Sequence, residues 1–349
     1  MNKGLFVKTL AVVLLVCVVL CCTLVVVVDP FFHFHKPILA LSYPLVNERY
    51  QNDGIARHFD YDAVITGTSM TENCRATVVD ELFNVKSVPL CNSGGTYKEI
   101  SDQLVRVLSY NDNVKVVIRG LDIDMMMLNK DYVSRELPSY LYDDSVLNDV
   151  NYLLNKEAIV NSVEVLWRTM RDYEPTSLDD YTNWMDDADY GEEELRAQYS
   201  PSSVVLKDKG LDYGVLSIVE DNVRENVLKV ALDNPDVEFY YFVTPYSIFY
   251  FDRAYRAGEL SGLLAIEEKM IRMLTGYDNI HVYSYLDSGR FIEDLDSYRD
   301  ILHYCEWVNT EILEEMAAGI NEITDDNVDN YIARRNDYFA QLDFDSLFN

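Results

Sequence analysis

The chain has 349 residues, enough for one large domain or two small ones, of which 49% are hydrophobic and 25% charged. Those proportions exclude a disordered, collagen-like or low-complexity chain. Lys and Arg number 29 against 59 Asp and Glu, a net charge of −30; this excludes a nucleic-acid partner, because displacing phosphate counterions needs basic surface.

The first 28 residues differ from the rest. Residues 10–28 contain no charge, and about 20 apolar residues at 1.5 Å rise cross a hydrocarbon core. Lys3 and Lys8 precede this run and Asp29 follows it. The positive-inside bias then predicts a cytoplasmic N-terminus and an extracytoplasmic main domain. A cleaved signal peptide has a shorter apolar region that ends at small residues. Here the run ends Val25-Val26-Val27-Val28-Asp29-Pro30, so a retained single-pass transmembrane anchor over 1–28 is expected. Cys21 and Cys22 lack the preceding small residue of a lipidation site.

Residues 29–59 read as a juxtamembrane connector rich in aromatics and Pro. His33 and His35 stand there among Phe and Pro, which predicts a packed collar rather than a metal site. The remaining cysteines, Cys74, Cys91 and Cys305, form no C-x-x-C pair, so no zinc or redox motif is present. There is no P-loop and no G-x-G-x-x-G either. No metal and no cofactor are predicted.

From residue 60 onward the pattern changes. Five short apolar runs, 63–66, 87–91, 114–119, 237–243 and 280–285, are rich in Val, Ile, Tyr or Phe and bounded by polar or turn residues. Helical spacing appears over 72–83, 97–108, 216–232 and 260–274. Apolar strands alternating with helices predict a parallel sheet covered on both faces, a flavodoxin-like three-layer α/β/α sandwich over 60–349. A mostly helical insertion at about 123–215 separates the third and fourth strands. Helices are expected within it at 146–154 and 158–170, and a very acidic stretch, 179–194, is expected as a surface loop.

In a doubly wound sheet, function sits beyond the carboxyl ends of the strands. The first strand is followed by Gly67-Thr68-Ser69. Gly67 permits a sharp turn and Ser69 starts the next helix, where free N–H groups favour an oxyanion; Ser69-x-x-Glu72 also reads as a capping box. The second strand is followed by Asn92-Ser93-Gly94-Gly95, where paired glycines let backbone approach a ligand. A serine nucleophile needs a base. Of five histidines, three precede the sheet and His281 begins the fifth strand at the wrong end. His303 follows that strand by a loop, with Asp300 three residues earlier to fix its tautomer. After the fourth strand, Tyr246 reads either as a packed loop residue or as a ring for stacking on a sugar.

Gly67-Thr68-Ser69, Asn92-Ser93-Gly94-Gly95 and Asp300-x-x-His303, in this order, resemble the SGNH (GDSL-like) hydrolase superfamily. The membrane anchor, exported domain and GTS in place of GDS resemble two of its subgroups, the DltD family of D-alanyl transfer proteins and the SGNH-like domain of alginate O-acetyltransferases. The resemblance covers about 60–315 and implies a five-stranded parallel sheet. It implies Ser69 as nucleophile, His303 as general base and Asp300 as its orienting carboxylate. The N–H groups of Ser69 and Gly94 would line the oxyanion hole. One departure stands out: the family's third block ends in an oxyanion-donating Asn, and here that region reads Arg119-Gly120-Leu121-Asp122. An ionised Asp122 accepts only, so it reads as supporting, with Asn92 or Arg119 as substitute donor.

The expectation is an extracytoplasmic O-acyltransferase or esterase acting on a cell-envelope glycan or polyol polymer. Its partners would be an acyl-ester donor, the envelope acceptor and a membrane-embedded acyl-donor protein. The alternative is a non-catalytic envelope assembly or binding protein that keeps the fold.

Overall fold

The structure is a computed structural model that describes residues 3–348 apart from 182 and 186–188. The elements run α1 (Lys3–Val28), α2 (Glu48–His58), β1 (Ala63–Thr66), α3 (Ala76–Phe83), β2 (Ser87–Pro89), α4 (Tyr97–Tyr110), β3 (Val116–Leu121) and α5 (Ile123–Met126). Next come α6 (Val150–Leu153), α7 (Lys156–Met170), α8 (Glu192–Gln198), α9 (Tyr213–Val223) and α10 (Lys229–Leu232), the last two joined through a π-helical turn at Arg224–Leu228. The chain ends with β4 (Glu238–Val243), α11 (Ile248–Arg256), α12 (Leu260–Leu274), β5 (Ile280–Tyr283), α13 (Glu306–Ala318) and α14 (Val328–Gln341).

These elements fall into two compact units, residues 1–60 with 136–182, and residues 61–135 with 183–349. The insertion expected as one piece at 123–215 is therefore divided. Its middle belongs with the N-terminal residues because its apolar side chains pack there. Leu141, Tyr152 and Ala158 share a buried cluster with Val25 and Phe31.

In the first unit, α1 is long and apolar enough to cross a membrane, and only Val25 and Val28 of it are buried. The chain turns sharply after it. Asp29 adopts φ 48°, and its carboxylate accepts from the N–H groups of His33 (3.0 Å), Phe34 (2.7 Å) and His35 (2.9 Å) and from the Tyr152 hydroxyl (2.8 Å). His33 Nε2 pairs with Asp149 at 2.9 Å, and His35 Nε2 meets the Val26 carbonyl.

The second unit holds a five-stranded, all-parallel sheet in the order β2-β1-β3-β4-β5. Ala63 lies beside Ser87 and Val116, Val116 beside Glu238, and Phe239 beside Ile280. Every residue of β1, β2 and β3 is buried, which is why their sequences are predominantly apolar rather than alternating. The strand order reverses between β1 and β3, so the crevice beyond their carboxyl ends is the expected ligand position.

The helix expected from residue 72 begins instead at Ala76. Residues 67–73 form bends and turns, and Ser69 caps no helix. The reason is local packing. A Cβ on Gly120 of β3 would come within 2.6 Å of Thr71 Cγ2. The turn is thus pressed onto the sheet, and its hydrogen bonds run within itself rather than along a helix.

Candidate active site

The turn after β1 is built for one conformation. Gly67 has φ +145°, and a Cβ there would lie 2.4 Å from Thr71 Oγ1, so only glycine fits. Both the N–H and the hydroxyl of Thr71 donate to the Thr68 carbonyl, at 3.1 and 2.9 Å. Ser69 then projects half-buried from the turn.

Ser69 Oγ is hydrogen-bonded to His303 Nε2 at 2.8 Å. The other ring nitrogen, Nδ1, faces the Asp300 carboxylate at 2.9 and 3.1 Å. Serine, imidazole and carboxylate thus form one continuous chain of hydrogen bonds across 234 positions of sequence. Asp300 also accepts from the N–H groups of Leu302 and His303, each at 2.9 Å. Burial pushes its carboxyl up, but the His303 contact and these N–H groups outweigh burial and hold it below its ordinary range. The loop itself is pinned at both sides. Tyr298 pairs with Tyr304, and the Ile301 carbonyl accepts from the N–H and hydroxyl of Ser247, at 3.1 and 2.9 Å.

Three further side chains brace the serine turn. Asp122, at the end of β3, accepts from Thr68 Oγ1 at 2.7 Å, Thr244 Oγ1 at 2.9 Å and the Tyr246 hydroxyl at 3.0 Å. It therefore ties together the carboxyl ends of β1, β3 and β4. Burial raises its pKa against the pull of these hydroxyls. Asn309 of α13 donates to the Met70 carbonyl at 3.0 Å. Trp184 donates its indole N–H to the Ser69 carbonyl at 2.9 Å. Its ring meets His303 edge-to-face, with centroids 5.2 Å apart, and Arg299 lies over it at 5.1 Å.

Trp184 belongs to the acidic stretch 179–194 expected as a surface loop, of which 182 and 186–188 lie outside the described residues. Flanking Asp and Glu made that stretch look solvated. The signal within it was the indole, a large apolar body with an N–H that needs an acceptor when covered.

The other expected site residues have the following surroundings. Among the described residues, the N–H groups of Ser69 and Gly94 take no acceptor, and Gly94 is exposed with φ +61°. Asn92 is buried, and its side-chain nitrogen donates to Gln103 Oε1 at 2.5 Å. Arg119 is fully buried, with Nη1 donating to the Asn226 carbonyl at 2.8 Å and its guanidinium over the Tyr97 ring. Tyr246, expected as a substrate-binding ring, is only 3% exposed and spends its hydroxyl on Asp122. It offers no face to a sugar and packs instead against Tyr250, with centroids 4.7 Å apart. His281 is held between Glu238 and Glu322, away from the carboxyl ends of the strands.

No protein-family model, no curated protein and no solved structure matches this chain.

Proposed function

We propose that the chain is a membrane-anchored, extracytoplasmic serine acyl-ester enzyme. The reading takes α1 as the anchor and the second unit as a three-layer sandwich of the SGNH kind. The observation that carries it is the Ser69–His303–Asp300 hydrogen-bond chain at the carboxyl edge of a parallel sheet.

In this reading Ser69 Oγ attacks the acyl carbonyl while His303 Nε2 takes the hydroxyl proton. Asp300 holds the ring and stabilises the imidazolium that forms. The N–H groups of Ser69 and Gly94 bind the oxyanion. Collapse of the tetrahedral intermediate breaks the acyl–heteroatom bond, and His303 returns the proton to the leaving alcohol or thiol. The acyl-enzyme is then attacked by an acceptor hydroxyl that His303 deprotonates. A sugar or polyol hydroxyl of the envelope gives O-acylation; water gives hydrolysis. A membrane-embedded protein supplies the acyl donor.

One observation favours a second reading, a non-catalytic binding or assembly protein of the same fold. Asp122 stands where the resembled family has a donating Asn, and it only accepts. Removing one oxyanion donor costs about two to three orders of magnitude where measured.

The experiment that separates the two is covalent labelling of the detergent-solubilised full chain with a fluorophosphonate probe, located by peptide mapping. The enzyme reading expects label on Ser69, lost in Ser69→Ala and His303→Ala. A folded chain that takes no label at Ser69 sinks it in favour of the binding reading.

A further inference from the structure

Helix α7 has three faces, where a helix on a water-soluble surface has two. At ~100° per residue, Ala158, Ser162 and Val165 define its buried side. Leu166, Met170, Val163, Trp167 and Val160 follow in that angular order over the next ~120°, and all five are exposed, Met170 by 75%. Arg171, Glu164, Glu157 and Arg168 take the next ~60°. Only Lys156, in the first turn, interrupts the apolar sector, where a long stem lets its ammonium reach outward.

The position of this helix says what covers the exposed apolar sector. The start of α7 packs on the end of α1, with Ala158 and Val25 in one buried cluster. Val25 lies one turn, about 5 Å, inside the end of α1. The amino end of α7 is therefore level with the apolar span of α1, not beyond it. The exposed side of α1 and the exposed sector of α7 belong to the same unit and are both apolar. Near the other end of α7, Trp167 lies tilted against Tyr173 with ring centroids 5.4 Å apart, with Arg171 over the indole at 5.9 Å and Arg168 over Tyr173 at 5.5 Å. Aromatics flanked by Arg are the composition of a bilayer interface.

We infer that α7 is an interfacial helix whose Val160, Val163, Leu166, Trp167 and Met170 side contacts lipid acyl chains of the outer leaflet, alongside α1. The inference rests on the reading of α1 as a membrane anchor. Attraction of a basic face to anionic lipid is closed to this chain, which carries −30 overall and balances Lys156, Arg168 and Arg171 of this segment against Glu157, Glu164 and Asp172. Apolar insertion is the route left. A second protein covering the same face is the competing occupant, and the test below distinguishes it.

The chain has three tryptophans. The full chain carrying Trp184→Phe and Trp307→Phe leaves Trp167 as sole reporter. A companion that also carries Trp167→Phe and Val16→Trp reports on α1. Both go into phosphatidylcholine nanodiscs with and without doxyl-labelled acyl chains. The expected result is at least twofold quenching of both reporters. Quenching of the α1 reporter but not of Trp167 overturns the inference and leaves the anchor reading standing. Quenching of neither overturns both. A Trp167 that is shielded and unquenched, with the chain self-associated, assigns the face to a second copy and overturns the lipid assignment. As a check independent of tryptophan exchange, Val163→Cys should react at least tenfold more slowly than Glu164→Cys with an aqueous maleimide in nanodiscs. Equal rates in two folded variants also overturn the inference.

Discussion

The indole N–H of Trp184 donates to the carbonyl of Ser69, 115 positions away, at 2.9 Å. The same ring abuts His303. One side chain thus fixes the backbone under the candidate nucleophile and the face of its candidate base. The two partners approach from opposite ends of the second unit's sequence, so the contact is a tertiary clamp rather than a local turn.

That clamp can be divided by substitution. Trp184→Phe keeps a ring against His303 and removes the donor. A net hydrogen bond is worth about 1 kcal/mol of folding stability, so the unfolding free energy should fall by about that much and fluorophosphonate labelling at Ser69 should slow. Trp184→Ala removes ring and donor together and should cost more. Equal rates for all three proteins would show that the contact does not position the site.

Asp300→Asn keeps the size of the side chain and removes its charge. Where the orienting carboxylate of such a triad has been neutralised, the rate falls by about four orders of magnitude, and a comparable loss of Ser69 labelling is expected here. The same variant tests the pH dependence of stability. The folded value of Asp300 is depressed. Its contribution is therefore complete above the unfolded value, ~3.9, and is lost as pH falls through the folded one. The melting-temperature advantage of the wild-type chain over the variant should be constant from neutrality to about pH 5 and shrink below about pH 4.

Asp122→Asn installs the residue type that the resembled family carries at this position. The site is 2% exposed, and three hydroxyls already donate to the carboxylate. An amide nitrogen there would face a donor, leaving a buried polar group unsatisfied at a cost of about 1–3 kcal/mol. The variant should lose that much in denaturant unfolding and label more slowly, not faster. A rise in labelling would mean that Asp122 reaches the oxyanion.

Elsewhere in the second unit, Glu267 and Arg335 form a fully buried ion pair joined by Tyr331 and Ser284. Breaking a buried pair costs about 3–5 kcal/mol, whereas replacing both members with apolar residues is often neutral. Arg335→Met alone should be strongly destabilised, and adding Glu267→Leu should restore most of the loss. Labelling per folded molecule should be unchanged in both.

Much of this was legible in the sequence because the determinants are local. Runs such as Ala63–Thr66 are short, rich in β-branched residues and buried at every position, the pattern of a strand covered on both faces. Gly67 and the Asp300–His303 spacing mark their turns in the same local way. What stayed hidden depends on distant partners. The capping-box spacing of Ser69 and Glu72 suggested a helix that packing on Gly120 prevents. Nothing near Trp184 says that its indole will meet Ser69. Nothing within 136–182 says that Leu141 and Ala158 will pack with Val25 rather than on the sheet. Of the two readings of Tyr246, burial selects the packed one, through a bond to Asp122, 124 positions away in the chain.

The turn at Asp29 also has a mechanical meaning. Its carboxylate gathers three successive N–H groups and the Tyr152 hydroxyl just beyond the end of α1, leaving no slack between helix and collar. Val25 is seated in the same cluster as Ala158. Rotation of α1 about its own axis would therefore work against its packing on α6 and α7, so the helix is keyed to residues 136–182 at this one level.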